Sequence, residues 1–207
     1  HDPQWNPAHT LPGELTRAGY QTACIGRTMH QSPPWRNYGF EHLQLSTSID
    51  DKAPPTDYDL DLMRHAPDAG GFEGHGVDYN GHVARPWHLD ESLHETNWVI
   101  TQSLRWLQRR DTSRPFFLVV SLFYPHPPLV PPAPYFQRYL DMPDLPDAAI
   151  GDWATRPEQD GIGLRPDSDI ACLEGEPRRQ ALAGYFGLIN HIDDQLARFI
   201  NRHTGMP

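Results

Sequence analysis

The chain has 207 residues, with 17 Lys and Arg against 27 Asp and Glu, so its formal net charge is −10. An acidic chain without a basic run is a poor partner for nucleic acid, because clustered Lys and Arg bind phosphate backbones. No apolar run is long enough to span a bilayer, and no signal peptide is visible. We therefore expect a soluble protein without a membrane partner, in a compartment that the sequence does not identify.

The first two predicted elements are a short helix and a strand. Thr10 is a suitable N-cap, and Gly19 supplies the left-handed residue that commonly closes a helix, which predicts about two helical turns between them. Residues Tyr20 to Gly26 are rich in strand formers. Cys24 lies in this strand and reads as a small buried hydrophobe, since it forms no CxxC with the distant Cys172.

Residues 31–90 carry many Pro, Gly, Asp and His without sustained periodicity, and they hold aromatic residues throughout. This composition predicts a long, folded insertion rather than a linker. We expect it to interrupt a single domain that spans residues 1–207.

Three further elements follow the insertion. Apolar residues at helical spacing predict a helix over 96–110, with Thr96 as its cap. The run Phe116 to Tyr124 reads as a central strand buried on both faces, as in parallel sheets. After a second Pro-rich segment, a 3.6-residue stripe predicts a long helix from Pro177 to His203. Alternation of helices and strands predicts an α/β domain with at least part of a parallel sheet.

Ligands of open α/β sheets bind at the carboxyl ends of the strands. Arg27 and His30 leave the first strand, and His126 follows the second between prolines that hold its backbone in one orientation. We expect these side chains to lie at the same sheet edge and to suit an anion. Two other interpretations stay open: a solvated or salt-bridged arginine for Arg27, and a packed loop histidine for His126.

Four segments resemble the sulfatase family of the alkaline phosphatase superfamily. They are GYQTACIGRTMHQSPPWRNYGFEH, RPFFLVVSLFYPHPPLVPP, GYFGLINHIDDQLARFI and GHVARPWHLDESLHETNW. The last is similar to a branch of bacterial arylsulfatases and phosphonate monoester hydrolases. The segments reach from about Thr10 to Gly205.

The resemblance implies an alkaline phosphatase-like sandwich, with a mostly parallel central sheet flanked by helices, incomplete in this chain. It implies that His126 contacts the sulfate ester, and that His30 and Arg27 take the places of the family's anion-binding His and Lys. Arginine offers two donors in place of a point charge, but it cannot shuttle a proton at neutral pH.

The resemblance also implies a Cys or Ser nucleophile in a Cys/Ser-x-Pro-x-Arg motif, with Cys converted to formylglycine, and a divalent metal of the Ca or Mn type. We expect the nucleophile and the metal ligands to lie outside this chain, which alone would bind no metal or other cofactor and would be inactive. The string from Ser32 to Arg36 fits the nucleophile motif, but it follows the GRTMH turn and has no Asp pair upstream, so we reject it.

Other acidic and histidine groups are weaker candidates for metal sites. The spacing of His75, Asp78 and His82 fits no standard zinc site. Asp193 and Asp194 are adjacent in the middle of a helix and point in different directions, which favours polar-face residues over metal ligands. Asp57, Asp59 and Asp61 alternate as in a metal-nucleotide site, but no strand or basic partner supports one.

The sequence thus predicts a segment of a sulfuric ester hydrolase that acts on a small sulfated ester. One alternative is a phosphonate or phosphate ester hydrolase of the same superfamily. Another is a catalytically inactive binding module.

Overall fold

The computed structural model describes residues 7–28, 36–47, 54–146, 151, 153 and 171–204. In chain order, its main elements are α1 (Leu11–Arg17), β1 (Gln21–Arg27), β2 (His42–Thr47), α2 (Asp57–His65), α3 (Glu95–Arg109), β3 (Phe116–Ser121), α4 (Ala133–Leu140) and α5 (Gly175–Thr204). Two short 3-10 helices, Phe72–His75 and Glu91–Leu93, precede α3. The predicted α/β class is confirmed.

The described strands form one parallel sheet in the order β2-β1-β3. β1 and β3 pair from Gln21 opposite Phe116 to Gly26 opposite Ser121. The prediction that these two apolar runs are parallel members of one sheet is confirmed.

The prediction that the second run is a central strand buried on both faces is wrong for the described sheet. β1 occupies the middle, because β2 pairs with its other edge, and Ala23 and Ile25 of β1 are fully buried. β3 lies at the edge of the described sheet, and all its residues are partly exposed.

The helices around the sheet begin for local reasons. Thr10 caps α1 by accepting a hydrogen bond from the backbone N of Gly13 at 3.1 Å, as predicted, and Gly19 follows with φ 93°. The predicted cap of α3 is wrong. That helix begins at Glu95, and Thr96 is buried in its first turn, after a 3-10 helix capped by Asp90.

Three elements arise from segments whose periodicity did not predict them. β2 and α2 come from the region 31–90, and α4 comes from the second Pro-rich segment. A capping box starts α2, since the Thr56 hydroxyl accepts from the backbone N of Asp59 while the Asp59 carboxylate accepts from the backbone N of Thr56.

The chain divides into two compact units. The sheet unit lies within residues 1–71, 95–123 and 195–207, and the second unit lies within 72–94 and 124–194. In the sheet unit, α1 packs against β1, α2 against β2, and α3 against β1 and β3. The core of the second unit includes Val130, Ala183 and Leu188, all fully buried. No helix in the described ranges combines the length and the apolar character that crossing a membrane requires.

Candidate anion-binding site

Arg27 is the last residue of β1, and its side chain is buried, with 6% of the residue's surface exposed. The strand register shifts between Gly26 and Arg27. Such an irregularity changes the direction in which a side chain leaves the sheet. At Gly26 the φ is 114°, and a Cβ would lie 1.8 Å from the carbonyl oxygen of Ser121. Glycine is therefore required where β3 approaches β1 next to the arginine.

The guanidinium of Arg27 lies over the ring of Phe123, with its central carbon 5.0 Å from the ring centroid. A cation over an aromatic face is attracted to it, which helps to fix the side chain. Within the described part of the chain, the Nε of Arg27 has no hydrogen-bond partner. A buried donor of this kind carries a permanent charge and has hydrogen-bonding capacity left for a ligand.

Glu95, at the start of α3, is fully buried beside this arginine. Its Oε1 accepts a hydrogen bond from the Oγ of Ser46 at 2.6 Å, and its Oε2 accepts one from the backbone N of Phe123 at 3.5 Å. Burial raises the pKa of Glu95 to about 7, and the two hydrogen bonds and the positive charge of Arg27 act in the opposite direction. Sequence reasoning missed Glu95.

Two threonine hydroxyls lie at the same ends of the strands. Thr28 follows Arg27, and Thr47 is the residue of β2 paired with Arg27. Both are buried, and among the described residues neither Oγ1 has a hydrogen-bond partner. We call Arg27, Thr28, Thr47, Glu95 and Phe123 the Arg27 cluster. It combines a buried cation with two buried hydroxyl groups at neighbouring strand ends, which are chemical groups that suit an oxyanion.

His126 belongs to the second unit and is partly buried. Its Nδ1 donates a hydrogen bond to the carbonyl oxygen of Pro127 at 2.6 Å, and its ring centroid lies 5.9 Å from that of Tyr79. Burial lowers the pKa of His82, and the charge of His126 acts in the same direction. The backbone of the turn therefore holds the His126 ring through its hydrogen bond to Pro127.

His30 and Ser32 lie outside the described residues, so their predicted roles stay predictions. The expectation that His30 and His126 share one sheet edge also stays a prediction.

Four of the weaker acidic candidates take structural roles. Asp59 caps α2, Asp57 accepts a hydrogen bond from the backbone N of Leu45 at 2.8 Å, and Asp61 accepts one from the indole N of Trp98 at 3.0 Å. Asp194 accepts one from the hydroxyl of Tyr135. These carboxylates stabilise the fold.

The described residues contain no group of three or more His, Cys, Asp or Glu side chains that could hold a metal ion. We therefore assign no ligand of the divalent metal that the resemblance implies to the residues that the structure describes. Cys24 is buried, and burial raises the pKa of its thiol to about 11, which supports its interpretation as a small apolar residue.

Comparison with known proteins identifies relatives along most of the chain. Residues 1–204 match the family described as Sulfatase. An arylsulfatase of Clostridium perfringens (strain 13 / Type A) is 38% identical over 215 residues, which cover 95% of this chain and 43% of that protein. A choline-sulfatase of Rhizobium meliloti (strain 1021) is 29% identical over 207 residues, which cover 94% of this chain and 38% of that protein. The chain thus spans less than half the length of these curated relatives.

The fold is similar to that of a solved enzyme. The crystal structure of the phosphonate monoester hydrolase of Agrobacterium radiobacter matches 95% of this chain and 44% of that chain, with a TM-score of 0.65 and 22% sequence identity. The two proteins share an α/β architecture.

Proposed function

Because this chain belongs to the sulfatase family of the alkaline phosphatase superfamily, we propose that it is part of a sulfuric ester hydrolase and binds the sulfate group of the substrate. The observation that carries the proposal is the buried guanidinium of Arg27, held over Phe123 at the carboxyl end of β1. Ligands of open α/β sheets bind at such ends.

Arg27 performs this task through charge and shape. A planar guanidinium donates two parallel hydrogen bonds to two oxygens of a tetrahedral oxyanion, and in a buried place its charge is weakly screened. In a transferring sulfuryl group, negative charge shifts among the oxygens, so a fixed cation stabilises the transition state. The hydroxyls of Thr28 and Thr47 supply further donors from the same strand ends.

The resemblance of the motifs supports a role for His126 and His30 in binding the same substrate. The Nδ1 of His126 is occupied by the carbonyl of Pro127, so Nε2 is the nitrogen that would engage the ester. Because Nδ1 donates, Nε2 carries a proton only in the imidazolium form, and in that form Nε2–H donates to the negative charge that develops on the leaving oxygen.

The nucleophile and the divalent metal are assigned to other segments of the enzyme. The metal would supply Lewis-acid stabilisation of the transferring group. This proposal is supported by the length of the relatives and by the structural roles of the described aspartates. The residues of this chain bind the ester, orient it and offset its charge.

The test is turnover by the complete gene product, assayed with calcium and with manganese. The substrates are the nitrophenyl esters of sulfate, phosphate and phenylphosphonate, which share one leaving group and differ in the oxyanion. We expect the highest kcat/KM for the sulfate ester. A higher value for the phosphonate or phosphate ester would establish the sister activity instead, and turnover of none of them would indicate a binding module.

A further inference from the structure

The carboxyl group of Glu95 connects three parts of the sheet unit. Glu95 is the first residue of α3. Its carboxyl group accepts a hydrogen bond from Ser46 near the end of β2 and another from the backbone N of Phe123, after β3. Because Glu95 is fully buried, these contacts are made away from water and are costly to lose.

Phe123 is also the residue beneath Arg27. Its ring centroid lies 5.0 Å from the guanidinium carbon. The position of this ring follows from the position of its backbone, which Glu95 holds. A change at Glu95 therefore reaches Arg27 through Phe123, and it also reaches Arg27 directly through charge.

We propose that Glu95 is a positioning residue of the anion site: its carboxyl group holds Phe123 beneath the guanidinium of Arg27. When Glu95 gains or loses its proton, the net positive charge that the site offers to an oxyanion changes. This inference rests on the proposed function, in which Arg27 binds the sulfate group.

The groups that face Glu95 define how its charge acts. Arg27 faces it from β1, the Ser46 hydroxyl from β2, and the backbone N–H of Phe123 from the segment after β3. A guanidinium is a permanent cation, and neither a hydroxyl nor a backbone N–H titrates near neutrality. With the pKa of Glu95 raised to about 7 by burial, its carboxyl is neutral in mildly acidic solution. In mildly alkaline solution it is an anion that offsets the charge of Arg27.

The first test follows Arg27 and Phe123 by NMR in the isotopically labelled chain. The Nε–H signal of Arg27 and the backbone amide signal of Phe123 are recorded between about pH 5.5 and about pH 8.5. We expect both to shift with one common midpoint near neutrality. Glu95→Gln, which keeps an oxygen acceptor but does not titrate, should abolish the transition. Glu14→Gln, the same change on an exposed side chain of α1, should retain it.

Two results would overturn the coupling. One is a pair of signals that do not respond to pH in the wild type, and this result is decisive even if Glu95→Gln fails to fold. The other is a transition that persists in a folded Glu95→Gln variant.

The second test measures affinity for inorganic sulfate by calorimetry at constant ionic strength, near pH 6 and near pH 8. Sulfate stays a dianion over this range, so its own charge does not change. We expect the wild-type Kd to rise about threefold to tenfold with pH, and the Kd of Glu95→Gln to change less than about twofold. Imidazoles also titrate near neutrality. The effect of Glu95 is therefore the difference between the pH dependence of Kd in the wild type and that in Glu95→Gln.

The two proposals fail in different ways. Sulfate binding that is insensitive to Arg27→Gln, or no sulfate binding, overturns the proposed function, while the NMR titration still decides whether Glu95 acts on Arg27. Sulfate binding that depends on Arg27 but shows the same pH dependence in wild type and Glu95→Gln overturns the role of Glu95 alone.

Discussion

The hydroxyl of Ser46 donates a hydrogen bond of 2.6 Å to the carboxyl of Glu95, and both residues are buried. The partners are 49 positions apart in the sequence. Removing either one leaves the other buried without its partner, which typically costs about 1–3 kcal/mol. This contact links the end of β2 to the start of α3 at the place where Arg27 leaves the sheet.

Glu95 should make stability depend on pH. Its pKa is raised from 4.5 to about 7 by burial, so the folded chain holds this proton more tightly than the unfolded chain. The stabilisation is fully present below pH 4.5 and is lost as the pH rises through about 7. Relative to Glu95→Gln, the free energy of unfolding of the wild type should fall by up to about 3 kcal/mol as the pH rises from 4.5 through about 7. Urea unfolding at both ends of this pH range measures the change, and a difference between the two proteins that is independent of pH would contradict the assignment.

His75 should have the opposite effect in the second unit. Burial, helped by the charges of His88 and Arg85, lowers the pKa of His75 from 6.5 to about 4. Its Nδ1 accepts a hydrogen bond from the backbone N of Val77 at 3.1 Å, which requires that nitrogen to be unprotonated. The unfolded chain therefore binds the proton more readily. The stabilisation is present above pH 6.5 and is lost as the pH falls through about 4.

His75→Asn keeps an acceptor and removes the titration. Relative to this variant, the wild type should lose up to about 3 kcal/mol on acidification. His65→Asn, the same change at an exposed position of α2, is the matched control. Equal acid sensitivity of wild type and His75→Asn in urea unfolding would refute the prediction.

Replacing Thr47 tests whether its hydroxyl contacts a bound oxyanion. Thr47→Val removes a buried hydroxyl that lacks a partner among the described residues, so the free energy of unfolding should stay unchanged or rise by about 1 kcal/mol. Sulfate affinity should fall roughly tenfold to a hundredfold, as for the loss of one hydrogen bond to a charged group.

Thr22→Val is the matched contrast, because the hydroxyl of Thr22 contacts the Thr16 hydroxyl at 2.7 Å and accepts from the backbone N of Glu41 at 3.0 Å. It should lose stability and keep sulfate affinity. Unchanged affinity in Thr47→Val would remove this hydroxyl from the site.

His126 should matter for turnover and little for folding. It is partly exposed, and its Nδ1 donates to the carbonyl of the neighbouring Pro127, so His126→Ala should change stability by less than about 1 kcal/mol. In the complete enzyme, turnover should fall roughly a hundredfold or more. Paired thermal melts and kinetics decide the matter. A large loss of stability with full activity per folded molecule would identify a packed loop histidine instead.

Elements whose signals are local could be predicted from the sequence. α1, β1, α3, β3 and α5 each carry an apolar run, a cap or a 3.6-residue stripe. α2 also has a local signal, the capping box of Thr56 and Asp59, but its three aspartates obscure the apolar face. In α4, a proline in the first helical turn is typical of a helix start, but the many other prolines in this segment make that signal indistinct in the sequence.

The candidate site could be predicted only in part. Arg27 could be predicted as a site residue, because it is the single cation at the end of an apolar strand. Glu95 reads as an ordinary acidic residue in the first turn of a helix, and its burial depends on Ser46 and Phe123, which are distant in the sequence. Likewise, the middle position of β1 in the described sheet depends on β2, whose pairing no local pattern encodes.

The measurement that most directly tests the central claim is the affinity of the chain for inorganic sulfate before and after Arg27→Gln. Arg105→Gln, the same change at an exposed position of α3, is the control, and Arg27→Lys tests whether charge alone restores binding. We predict that Arg27→Gln weakens binding at least about tenfold, that Arg105→Gln leaves it within about twofold, and that Arg27→Lys recovers part of the loss. Equal sulfate affinity in the wild type and a folded Arg27→Gln variant would contradict the account.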